Sequence, residues 1–191
     1  MTASDALDRF AARPRRLFLD SSTLQTLLDY GEFIWEKVEP PPGDRTHRMP
    51  GFLDDLDALR AIFQVNRRAG FNIVLSPNSL AEVIDKQDAS YTRWAYDVVD
   101  HWLARIGEYE GHAFQGSGEE IARRLDAAGG YLSTKDMLLL KDAIALECEV
   151  FLTMERKLPK QDAKIAALVP LQVLRPPEYW ALLRPWAALY L

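Results

Sequence analysis

K-D-A-I-A-L-E-C-E-V-F-L-T-M-E-R-K-L, residues 141–158, is the stretch whose reading decides the fold. Thr134 to Glu149 is predicted as a helix, and V-F-L-T (150–153), rich in apolar and β-favouring residues, as the strand it feeds. Asp142 stands on that helix with Leu138, Leu139, Ala145 and Leu146 three and four positions away, so its carboxylate lies on an apolar stripe. An ionised group there needs a partner or a metal, because burying it alone is costly.

Working outward, the same alternation recurs. F-N-I-V-L (71–75) is a second strand, followed by Ser76 as N-cap and Pro77 at the first helical position of a helix through about Lys86. Before it, Phe52 to Ala69 is an amphipathic helix. Leu53, Leu56, Leu59, Ile62 or Phe63, and Asn66 mark its inner face; acids load its start, Arg67 and Arg68 its end, and Gly70 stops it. Leu17-Phe18-Leu19 is the opening strand, with Ser21, Ser22 or Thr23 capping a helix through about Tyr30. Residues 39–51 (E-P-P-P-G-D-R-T-H-R-M-P-G) are expected to be a loop. Downstream, Ser90–Arg105 and Glu119–Ala128 are helical, with 107–118 a loop and Gly129-Gly130 ending the second helix. Leu171–Leu174 is a fourth strand, and Pro177 opens an apolar helix or tail through Leu191. Strands separated by helices imply an α/β fold: a parallel sheet of about four to five strands sandwiched by helices. The expected organisation is a single domain over 1–191, with residues 1–15 as an N-terminal arm.

Composition narrows the function classes. The chain is 48% hydrophobic and 27% charged, the balance of a globular domain rather than a disordered one. A net charge of −5 argues against a generic nucleic-acid sponge, though a local basic path can coexist with an acidic site. No apolar run is long enough to span a membrane and no signal pattern opens the chain; with a single cysteine, Cys148, a cytoplasmic location follows as the expectation. His47, His101 and His112 are too scattered for a metal-ligand pair.

In open parallel sheets, functional groups gather beyond the C-terminal strand ends. Asp20 ends the first strand, Glu82 lies in the helix after the second, and Glu155 follows the third by two residues. L-F-L-D-S-S (17–22), I-V-L-S-P-N-S-L-A-E (73–82), the 141–158 stretch and L-Q-V-L-R-P-P-E-Y-W (171–180) together resemble the PIN nuclease family. That resemblance implies a metal-dependent endoribonuclease whose Asp20, Glu82, Asp142 and Glu155 hold Mg²⁺ or Mn²⁺. Glu155 stands where the family usually has Asp, and Met154 replaces a small polar residue. Ser22, Arg156, Lys157, Lys160 and Lys164 are the expected substrate contacts, RNA the substrate, and an antitoxin protein and a second copy the implied partners. Hard divalent cations suit such oxygen ligands and can activate water for attack on phosphorus.

Plainer readings stand beside these. Asp20 is equally a helix cap, Glu82 a solvated helical acid, and Glu155-Arg156-Lys157 a charged turn; Ser133-Thr134-Lys135-Asp136 is a capping-box pattern, with Asp136 a spare site acid second. Two other function classes follow. One is a catalytically silent PIN-like module binding RNA or protein. The other is a phosphatase of haloacid-dehalogenase type, which L-F-L-D-S-S-T resembles, except that Ser22 stands where those enzymes carry a second Asp.

Overall fold

The computed structural model describes residues 9–84, 117–128 and 132–190. The expected helix at Ser90–Arg105, the histidines 101 and 112, and the Gly129-Gly130 stop lie outside the described residues. Four short strands form one all-parallel sheet: β1 (Arg16–Leu19), β2 (Asn72–Val74), β3 (Val150–Leu152) and β4 (Gln172–Leu174), ordered β2-β1-β3-β4. The predicted α/β class with helices on both faces is the architecture found.

The period of two in β1 assigns the two layers. Leu17 and Leu19 face one core with Ile73, Val150 and Leu152, while Phe18 faces the other with Val74, Phe151 and Val173. Phe18 pairs in register with Phe151, and their rings stack at 5.3 Å. The first core is closed by α3 (Phe52–Ala69) and α8 (Pro176–Leu183), through Leu56, Leu59, Tyr179 and Leu183. The second is closed by α5 (Ser117–Ala128), α6 (Thr134–Ala145) and α7 (Asp162–Ala166), through Leu125, Leu139, Leu140, Ala143 and Ile165. Among the described residues, α1 (Ser21–Asp29), α2 (Arg45–Arg48) and α4 (Pro77–Ile84) are further helices.

Several local expectations are corrected. The cap of α1 is Asp20, not a hydroxyl residue: its side chain accepts from the Thr23 backbone N–H. The inner face of α3 lacks Leu53, which is 37% exposed; Asp55 takes a buried place beside Leu56 instead. Helix α6 stops at Ala145 rather than Glu149, because Glu147 adopts a left-handed conformation (φ 53°) and turns the chain into β3. The Pro-rich segment 39–51 is not all loop: Asp44 caps the single turn of α2. A π-helical turn at Glu32–Glu36 and a 3₁₀ turn at Leu158–Gln161 leading into α7 lie outside the elements expected from sequence. The last helix ends at Leu183 and continues as a 3₁₀ turn, Arg184–Leu189. On the outer edge of the sheet, the Val173 N–H is accepted by the Asp162 carboxylate at 2.6 Å. Among the described residues no helix is long and apolar enough to cross a membrane.

Candidate functional site

The strands are parallel, so their C-terminal ends lie along one border. Asp20, Leu75, Thr153 and Arg175 follow β1, β2, β3 and β4 there. The ladder continues one residue past the strands: Asp20 N–H donates to the Leu152 carbonyl at 3.2 Å, and Thr153 N–H to the Leu174 carbonyl at 3.0 Å. Asp20 and Thr153 are thereby fixed side by side.

Asp20 is 4% exposed, and its carboxylate is gripped by its own chain. The Thr153 hydroxyl donates to Oδ2 at 2.5 Å, the Ser22 hydroxyl to both oxygens at 2.8 and 3.0 Å, and the Thr23 N–H to Oδ1 at 2.7 Å. Burial pushes the carboxyl above its ordinary range, and the hydroxyl and backbone donors offset part of that rise. Ser22 is itself oriented: its oxygen accepts the Met154 N–H at 3.1 Å. Thr153 does double duty, accepting the Glu155 N–H at 3.0 Å while donating to Asp20.

Asp142 stands in the later half of α6. It is half-buried, and the Asn78 side-chain amide, on the first turn of α4 beyond β2, donates to its Oδ2 at 2.8 Å. The apolar stripe is therefore only part of its surroundings, since Leu138 is 46% exposed. Glu82 belongs to α4, but its side chain lies outside the described residues. Glu155 is exposed and lines a groove of ≈590 Å³ with Ser22, Met154, Lys135, Arg45 and Phe52. Asp136 forms the expected capping box with Ser133.

The basic residues expected to meet substrate sit elsewhere. Arg156 donates to the Pro50 carbonyl and, with Lys160, borders a second groove of ≈570 Å³ that also contains Asp54, Asp55 and Arg175. Lys157 is exposed at the start of the 3₁₀ turn. In that second groove, Arg175 donates to both oxygens of Asp55, which is 1% exposed. Burial raises the Asp55 carboxyl above its usual range, and the Arg175 charge opposes that rise.

Three features escaped the sequence reading: Thr153 as the clamp on Asp20, the Asp55–Arg175 pair, and Arg45 on the groove wall. Leu-Thr at the end of the third strand was the available signal for the first. The other two join residues 120 and 15 or more positions apart, which no local pattern reveals.

The donor chemistry suits a hard divalent cation in kind. Asp20, Asp142, Ser22 and Thr153 offer only oxygen, and Asp20 is a buried carboxyl whose ionisation a cation would favour. Among the described residues, however, no group of three His, Cys, Asp or Glu side chains stands ready to hold a metal, so Asp20, Asp142 and Glu155 do not form one. Comparison with family models, with curated proteins and with solved structures gives no match.

Proposed function

We propose that the chain is a PIN-like, metal-dependent endoribonuclease acting at the C-terminal border of its sheet. The observation that carries this reading is Asp20. It is a buried carboxyl at the end of a central parallel strand, raised by burial and oriented by two hydroxyls. Asp142, aligned by Asn78 across the α4–α6 contact, would supply a second acid.

Asp20, Asp142 and Glu82 would hold Mg²⁺ or Mn²⁺, with Glu155 at the groove mouth. Such an ion supplies Lewis acidity and an activated water for phosphodiester hydrolysis. Thr153 and Ser22 keep the Asp20 oxygens in one orientation, so the acid does not have to reorganise when a substrate arrives. The Asn78 amide does the same for Asp142. RNA would enter along the Ser22–Glu155 groove. An antitoxin protein and a second copy of the chain remain part of this proposal as partners.

A second reading has its own support. Asp20 already accepts three donors from its own chain, and Glu155 is exposed, an arrangement that also suits a catalytically silent RNA- or protein-binding module. Purified protein incubated with single-stranded RNA and Mn²⁺ separates the two. The nuclease reading expects metal-dependent cleavage that Asp20→Asn and Asp142→Asn abolish. Wild-type cleavage no greater than that of the two variants, with no heat of Mn²⁺ binding in calorimetry, rejects it in favour of the silent module.

A further inference from the structure

We infer that Arg45 is a preset phosphate anchor in the Ser22–Glu155 groove, gripping the backbone of single-stranded RNA. The inference rests on the proposed function only for the class of ligand, since the groove and the arginine are features of the fold itself. Arg45 lines the groove together with Lys135, Asp29 and Glu155, and its side chain is 40% exposed.

The guanidinium is held from three directions. Its carbon lies 4.7 Å from the centre of the Phe52 ring and 5.0 Å from that of Tyr30. Its Nε donates to the Tyr30 hydroxyl at 2.9 Å, and one terminal nitrogen donates to Asp29 at 3.1 Å. The Tyr30 proton is committed elsewhere: the hydroxyl donates to Asp44 Oδ1 at 2.7 Å, so its lone pair faces Arg45. Asp44 is fixed in turn by the Thr46 N–H at 2.8 Å. Asp29 receives the Gln25 amide at 2.9 Å.

A guanidinium carries five N–H donors in a planar fork, and these two bonds leave others for a ligand. Arginine usually loses much side-chain freedom on binding; here packing and hydrogen bonds have already restricted it, which favours association. A residue serving only to staple residues 44–48 to α1 would have no reason to remain open to a groove. Arg60 offers the contrast. It stacks on Phe33 at 4.6 Å and pairs with Asp57 at 2.6 Å, yet does not line this groove.

The test is fluorescence anisotropy of a labelled oligouridylate in EDTA, across a series of NaCl concentrations, with thermal melts run in parallel. Arg45→Met keeps the aliphatic stem on both rings while removing charge and donors. It is expected to weaken binding on the order of tenfold, the lower end for losing a charge-assisted hydrogen bond. The slope of log K against log salt should fall by about 0.7, one phosphate contact on a single strand. Arg45→Lys should keep the slope and lose part of the affinity, and Arg60→Met should change neither. Arg45→Met binding with wild-type affinity and slope overturns the assignment, as does a wild type that does not bind the probe. Arg45-dependent binding without Mn²⁺-dependent cleavage rejects the nuclease and leaves the anchor standing.

Discussion

Replacing Arg175 by Met isolates the cost of leaving Asp55 without its partner. Asp55 is 1% exposed and accepts from Arg175 through both oxygens, tying the end of β4 to the first turn of α3. Removing one member of a buried ion pair costs about 3–5 kcal/mol, because the remaining charge stays buried. Arg156 also favours the Asp55 carboxylate, so the lower end, about 3 kcal/mol, is expected. For a chain of this size that corresponds to a fall in Tm of roughly 6–12 °C. The pH dependence gives the result its signature. The Asp55 carboxyl is raised in the fold, so its protonated form is the better tolerated one. Stability tied to it is complete below the ordinary carboxyl range and is lost as pH climbs through the raised folded value. Without Arg175 that value climbs further, so urea titrations at pH 7.5 and near pH 5 should show the loss shrinking in acid. The double variant Asp55→Leu with Arg175→Met should recover most of the stability. A single-variant loss under about 1 kcal/mol, or one that is identical at both pH values, refutes the reasoning.

Other outcomes follow from the same geometry. Thr153→Val removes the hydroxyl that clamps Asp20 and should cost about 1.5–3 kcal/mol in urea unfolding, with Thr153→Ser restoring most of it. Because burial raises Asp20, its ionisation costs the wild type stability as pH rises above the ordinary carboxyl range; Asp20→Asn should show a flatter stability–pH curve and lose any rise in Tm caused by Mn²⁺ at pH 7.5. Glu147→Gly should stabilise the fold by up to about 1 kcal/mol in thermal melts, since Glu147 is held at φ 53°. The Cys148 thiol is 5% exposed and pushed up to about 12, so thiol labelling at pH 8 should proceed only at the rate of opening of the fold; rapid stoichiometric labelling would contradict that placement.

What the sequence made legible was what local physics encodes. Phe52–Ala69 carries an apolar stripe, acids at its start, arginines at its end and a terminal glycine, and the helix occupies those residues. Ser76-Pro77 launches α4 and the Ser133 capping box launches α6, each from its own short-range chemistry. Leu53 misled because a stripe of period 3.6 leaves the boundary position undecided, and Asp55 took the inner place only because Arg175, far along the chain, meets it there. Within the site, Asp20 was legible as a strand-ending acid, and its role as a cap was one of the readings left open. The Thr153 clamp was not, since it depends on the register that sets β1 beside β3.

The Val173–Asp162 contact has a consequence for crowded conditions. β4 is the outer strand, and an open row of amides on such a strand is a template on which another extended chain can grow. Here the outward amide of Val173 is already occupied by a carboxylate, and Pro170 and Pro176-Pro177 bracket a strand of only three residues. Asp162→Ala would bare that amide, turning a chemically sealed margin into one where fibrillar growth can start.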